Sequence, residues 1–163
     1  MGRIDKIADV TVSGSDANYI DLTGLDLNTH LFYLLFLSVK NALANYKYLD
    51  CLINGDTTRT NYYSQYLDQD GGSITSGREN NPVIAYLETS TELFCQAWIM
   101  RDPTGYPRII AEENWKRGNS LMKSERTVIK TATVANITSL RINAETAGTI
   151  AVGSRAILYG YVA

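Results

Sequence analysis

The stretch ELFCQAWIMRDPTGYPRIIAEENW, residues 92–115, decides the fold. ELFCQAWIMR reads as a strand. Asp102-Pro103-Thr104-Gly105 then fits a type I turn, with Asp first, Pro second and Gly fourth. Two strands joined this tightly form an antiparallel hairpin, so YPRIIAEENW (residues 106–115) returns alongside the first.

Working outward, the same signals repeat. Towards the N-terminus lie YIDLTGL (19–25), HLFYLLFLSVK (30–40) with NALAN as its turn, YKYLDCLI (46–53) closed by Asn54-Gly55-Asp56, NYYSQYL (61–67) and VIAYLE (83–88). Residues 68–82, DQDGGSITSGRENNP, read as a long polar loop. Towards the C-terminus, the loop KRGNS leads to a strand over 122–133. ITSLRINA (137–144) alternates, with Leu140 and Ile142 on one side and Ser139 and Arg141 on the other. A small-residue link then leads to RAILYGYV (155–162). Eight or nine strands and no amphipathic helix predict an all-β protein, an antiparallel jelly-roll-like sandwich of about eight strands. Residues 1–18 read as an N-terminal arm with one short strand at 9–12, and residues 19–163 as a single sandwich domain.

Composition sets the outer limits. The chain has 163 residues, 45% hydrophobic and 20% charged, which suits one globular domain. The formal net charge of −2 argues against nucleic-acid binding through a basic surface. The start MGRIDKIADV lacks an apolar signal region, and LFYLLFL (31–37) is too short for a membrane helix, so no membrane association is expected. Cys51 and Cys95 each sit in an apolar run and read as small buried hydrophobes.

One strand breaks the rule that a sandwich strand is apolar on one face only. Leu31, Tyr33, Leu35 and Leu37 alternate with Phe32, Leu34 and Phe36, and ELFCQAWIM behaves similarly. A strand apolar on both faces is central in a large core or covered by another chain. The second option predicts a homo-oligomer, with Leu31, Tyr33, Leu35 and Phe36 as self-association residues.

Catalytic and metal chemistry find little support. His30 is the single histidine and cannot alone build a zinc or copper site. There is no G-x-S-x-G elbow, and adjacent Glu112 and Glu113 point to opposite strand faces. No enzyme activity, catalytic residue, metal or cofactor is expected. The 11 tyrosines are the compositional oddity. Tyr62, Tyr63 and Tyr66 cluster beside the polar loop and form a candidate glycan platform.

The order of short motifs resembles a family of small virion structural proteins of tailed bacteriophages, capsid decoration or tail-fibre-like. The resemblance is carried by His30-Leu31, by Asn54-Gly55-Asp56 followed by Tyr62, and by Ile137 to Leu140, Gly153 to Arg155 and Leu158 to Gly160. It implies a virion location and no active site. The expected function is that of a decoration (cement) protein, a homotrimer clamping the major capsid protein on the particle surface. The alternative is a tail-fibre or tailspike module that recognises host glycans.

Overall fold

The computed structural model describes residues 1–89, 91–117 and 120–163. Among these residues twelve strands form, with a single 3-10 turn at Arg59–Asn61. In chain order they are β1 Arg3–Thr11, β2 Tyr19–Thr23, β3 Phe32–Lys40, β4 Lys47–Ile53, β5 Tyr62–Asp70 and β6 Ser73–Glu79. There follow β7 Val83–Leu87, β8 Glu92–Arg101, β9 Pro107–Arg117, β10 Ser120–Lys130, β11 Ser139–Ala144 and β12 Arg155–Val162. An eight-stranded sheet runs β1-β12-β3-β8-β9-β10-β5-β6, and a four-stranded sheet runs β2-β11-β4-β7. Every pairing is antiparallel.

The topology is one folded-over ribbon. β1 pairs with β12, β2 with β11, β3 with β8 and β4 with β7, so the two halves of the chain run antiparallel along their length. The ribbon then doubles back, and the pairings β12 with β3 and β11 with β4 close the sheets. These eight strands are a jelly roll. The remaining four are two hairpins, β5-β6 and β9-β10, which extend the larger sheet beyond it.

The predicted hairpin is in place. Gly105 N–H donates to the Asp102 carbonyl at 2.9 Å, and the Asp102 carboxylate accepts from the Thr104 and Tyr106 amides at 3.0 and 3.1 Å. Those contacts and Arg108 at 2.9 Å hold the Asp102 carboxyl down at about 2, the Thr104 hydroxyl contributing most.

Two segments differ from the sequence reading. Within residues 1–18 the strand is longer than the expected 9–12: Arg3–Thr11 is an edge strand along β12. A register shift between Lys6 and Ala8 breaks its alternation, which hid it as a pattern. Residues 68–82 are not a loop either. β5 runs on to Asp70, Gly71 turns at φ 58°, and β6 returns through Glu79. Of the expected loop KRGNS, Lys116 and Arg117 lie in β9 and Ser120 in β10, while Gly118 and Asn119 fall outside the described residues.

The core lies between the sheets. Tyr33, Leu35, Leu37 and Val39 of β3 and Leu93, Cys95, Ala97 and Ile99 of β8 face it from the larger sheet. Ile20, Leu22, Leu49, Cys51, Leu140 and Ile142 face it from the smaller. Each large aliphatic chain removed from water contributes about 1.5–3 kcal/mol. Both cysteines are free and buried. Burial pushes the Cys51 thiol up to about 12 and raises Cys95 as well, so neither is poised as a nucleophile.

Candidate functional site

The outer face of the larger sheet is the first candidate. The period-2 alternation of β3 sends Tyr33 and Leu35 into the core, both fully buried, and leaves Phe36 outside. Of the four residues expected to mediate self-association, Tyr33 and Leu35 are therefore internal. Phe36, 39% exposed, and Leu31, just before β3, remain accessible. The outward apolar residues are neighbours across strands. Leu34 sits between Tyr159 and Trp98, Trp98 is opposite Ile110, and Phe36 is opposite Ile157. Phe32 stacks on Tyr161 with ring centroids 5.1 Å apart and tilts against Trp98 at 5.2 Å, and Phe36 meets Tyr159 edge-on. The band ends in a groove of about 840 Å³ whose walls include Phe36, Phe94, Leu121 and Ile157, with Glu112, Lys123 and Arg155 at its sides.

The inner face of the same sheet carries the second candidate. Here the β5-β6 and β9-β10 hairpins place polar side chains in cross-strand rows. Glu113, Ser124, Asp68 and Thr75 are successive partners across β9, β10, β5 and β6, and so are Ala111, Arg126, Tyr66 and Gly77. Arg126 is the largest fully buried side chain. Its guanidinium carbon lies 3.9 Å from the Tyr86 ring centroid and 5.0 Å from that of Tyr66. Its carboxylate neighbours are Glu113 at 3.5 Å and Asp68 at 3.6 Å. Glu113 also accepts the Tyr86 backbone N–H at 2.6 Å, and Ser124 donates to Asp68 at 2.5 Å. Burial pushes Glu113 up to about 8 against the opposing pull of that N–H and of Arg126. Small residues make this packing feasible. Ala111 leaves room beside Arg126, and the Tyr66 ring lies over Gly77, where an added Cβ would stand 2.6 Å from the hydroxyl.

Beside this row the smaller sheet ends at β7 and the larger one continues. The step between them is a cleft of about 480 Å³, lined by Tyr46, Tyr86, Trp115 and Met122, by Asp68, Asp70 and Glu88, and by Ser73 and Thr75. Tyr46 and Tyr86 have centroids 5.1 Å apart, and Trp115 meets Tyr86 edge-on at 6.0 Å.

No family model, no curated protein and no solved structure matches this chain.

The other residues singled out in the sequence are dispersed. Tyr62, Tyr63 and Tyr66 do not form one platform, because strand alternation separates them. Tyr62 is fully buried; its hydroxyl accepts the Ile53 N–H at 3.0 Å and donates to the Asp56 carbonyl at 3.2 Å. Tyr63 points outward and is 52% exposed, while Tyr66 points inward onto Arg126. Glu112 faces out and Glu113 in, as adjacent strand residues must. Among the described residues no group of three or more His, Cys, Asp or Glu side chains could hold a metal ion, and no helix is long and apolar enough to cross a membrane.

The short motifs are contacts with one another. His30 lies against Gly160, where an added Cβ would be 2.3 Å from the ring, and Leu31 N–H donates to the Tyr161 carbonyl at 2.8 Å. Asn54 and Gly55 both have positive φ, and the Asn54 side chain accepts from the Thr138 amide at 2.8 Å. Ser154 accepts the Lys40 amide at 3.1 Å, and Arg155 grips Asp9 with two bonds of 2.8 and 2.7 Å. Asn136 is a structural pin, accepting from Leu27 and donating to Asp26, each at 2.8 Å.

Proposed function

We propose that the chain is a structural component of a virus particle, a decoration protein that associates with copies of itself and clamps a major capsid shell. The observation that carries the self-association is the aromatic band on the outer face of the eight-stranded sheet. Phe36, Phe94, Trp98 and Ile110 are exposed, with Phe32 and Leu34 half-buried beside them, and the band they form extends across β3, β8 and β9 on a face that no other described strand covers. A contiguous apolar face of this kind is the ordinary mark of a protein contact. The occupant proposed is a second copy. The groove at the end of the band carries both signs of charge, Glu112 with Lys123 and Arg155, so it can meet opposite charges on a neighbouring copy in a head-to-tail ring. The virion role rests on the resemblance of the motif order.

The test is molar mass in solution by light scattering. The expected value is three times the 18.1 kDa chain mass, as for the homotrimer that the motif resemblance implies. Trp98→Asp or Phe36→Asp should yield single chains that still melt cooperatively, whereas Leu35→Asp, on the inner face, should unfold the domain. Each outward aromatic lost from a packed interface costs about 2 kcal/mol or more of association. A parent chain that stays monomeric at high concentration would refute the self-association. Gold-labelled antibody should decorate particle heads; label confined to tails would refute the decoration role.

A further inference from the structure

Beyond the aromatic band, the outer face of the larger sheet holds a second groove of about 450 Å³. That volume falls within the range of small-molecule sites. Two neighbouring cross-strand rows build it. Arg78, Gln65 and Thr127 are successive partners across β6, β5 and β10, and Tyr63, Ile129 and Arg108 across β5, β10 and β9. Ile129 is half-buried and gives the groove an apolar floor, and Tyr63 stands beside it with a half-exposed ring. Asn80, the residue after β6, completes the rim.

The polar groups of this groove are set apart by being unused. Elsewhere on the outer face such groups bind one another: Gln96 donates to Glu112 at 3.1 Å, Ser38 to Glu92 at 2.6 Å and Lys123 to Glu125 at 2.8 Å. Among the described residues, the side chains of Tyr63, Gln65, Arg78, Asn80 and Thr127 have no hydrogen bond, ion pair or ring contact. Arg78 is the exception among the arginines with described side chains. Each of the others faces a carboxylate or, for Arg101, backbone carbonyls. One hollow thus gathers an open guanidinium, two open amides, an open hydroxyl and an open phenol.

Charge narrows the class of ligand. Arg108 is already neutralised by Asp102 at 2.9 Å, and Glu79, also on the wall, is a carboxylate that accepts from Asn81 at 2.9 Å. One guanidinium therefore remains available, beside one fixed negative charge. That suits a single carboxylate, which an arginine holds with two parallel N–H bonds. It disfavours a doubly charged phosphate, which Glu79 would repel more strongly. The ring, the amides and the hydroxyl suit an apolar C–H face with a rim of hydroxyls. A carboxylate on a hydroxylated ring is the chemistry of an acidic sugar.

We propose that this groove binds a carboxylated pyranose, a uronic or sialic acid unit. Its carboxylate pairs with Arg78, its C–H face lies on Tyr63, and its hydroxyls exchange hydrogen bonds with Gln65, Asn80 and Thr127. With one charge pair and one ring to stack on, the affinity for a single unit is millimolar. The proposal does not rest on the assembly role, since the residues that define it lie outside the aromatic band.

The experiment is saturation-transfer NMR on the full chain with methyl glucuronide and N-acetylneuraminic acid. Methyl glucoside is the neutral comparison, N-acetylglycine the carboxylate without a sugar, and AMP the phosphate. At least one acidic sugar should show transfer to its ring C–H protons and bind about tenfold more tightly than methyl glucoside. Arg78→Gln and Tyr63→Ala, both at exposed positions, should each weaken it by about tenfold. Melting curves verify that both variants are folded. Trp98→Asp should leave the titration unchanged; loss of binding there would place the ligand on the aromatic band and overturn the assignment. Absence of transfer to both acidic sugars would also overturn it, as would an affinity indifferent to Arg78→Gln or Tyr63→Ala. So would N-acetylglycine or AMP binding as tightly as the acidic sugar.

Discussion

Burying an arginine beside a glutamate takes both groups out of water, and the two sheets here bury Glu113 and Arg126 together under Tyr86. Pairs of this kind are seldom net stabilising, because desolvation offsets the attraction. Glu113 reflects that balance: burial lifts it to about 8 from an ordinary value of 4.5. The sign follows from linkage. Between those two values the folded chain holds a proton on Glu113 that the unfolded chain has released, so stability is greatest below about 4.5 and falls as pH rises towards 8. Asp50, raised to about 6 mainly by burial with Arg59 opposing, acts in the same direction over a lower window. The expected outcome is a melting temperature that declines from pH 5 to pH 8. Glu113→Gln, which mimics the protonated form, should match the parent at pH 5 and exceed it by several degrees at pH 8, at about 2–4 °C per kcal/mol for a chain of this size. Parallel curves for parent and variant would show that Glu113 does not carry the slope. Nothing in the sequence marks Arg126: on β10 it alternates with Glu125 and Thr127, so both faces read as polar, and it is β7 of the smaller sheet, with Tyr86 over the guanidinium, that makes one of them internal.

At the scale of elements, what was readable depended on whether one face of a strand meets the core throughout. β8, β9 and β11 do, and their positions follow from alternation and from the Asp102 turn. β3 is legible as a strand, but its two apolar faces look alike in the sequence, since Tyr33, Leu35 and Leu37 differ little in character from Phe32, Leu34 and Phe36. β6 leaves no pattern in the sequence because its single large apolar residue, Ile74, points to solvent at a sheet edge. Only the end of β1 is legible in the sequence because its register shift moves Ile7 and Ala8 out of alternation. The paired β1 leads to a specific expectation. Deleting residues 1–11 removes the half-buried Ile7, Ala8 and Val10 and uncovers the N–H and C=O groups of β12. The loss of roughly 2–3 kcal/mol of apolar burial should lower the melting temperature by about 5–10 °C. The newly exposed edge should also make the chain associate in a concentration-dependent way. Thermal melts and gel filtration of the deleted chain measure both effects; an unchanged melting temperature would mean that the strand is a passive cover.

At the scale of the whole molecule, the ribbon topology makes the two ends of the chain structurally unequal. β1 is an edge, but β12 lies between β1 and β3, with Ala156 and Leu158 fully buried. Its loss would strip one side of β3, leave β1 with no partner, and open the core beside Leu35 and Val12. Removing residues 155–163 should therefore abolish cooperative unfolding altogether, where removing residues 1–11 only weakens it. The same geometry bears on kinetics. Closing β1 on β12 joins segments from opposite ends of the chain, and jelly-roll pairings are non-local throughout, so refolding should take milliseconds to seconds rather than microseconds. Calorimetry of the chain ending at Ser154 gives the decisive comparison. A featureless melt is the outcome the topology requires. A sharp transition would mean that the ribbon is self-sufficient once β2 pairs with β11, and that β12, like β1, is an addition to a smaller closed core.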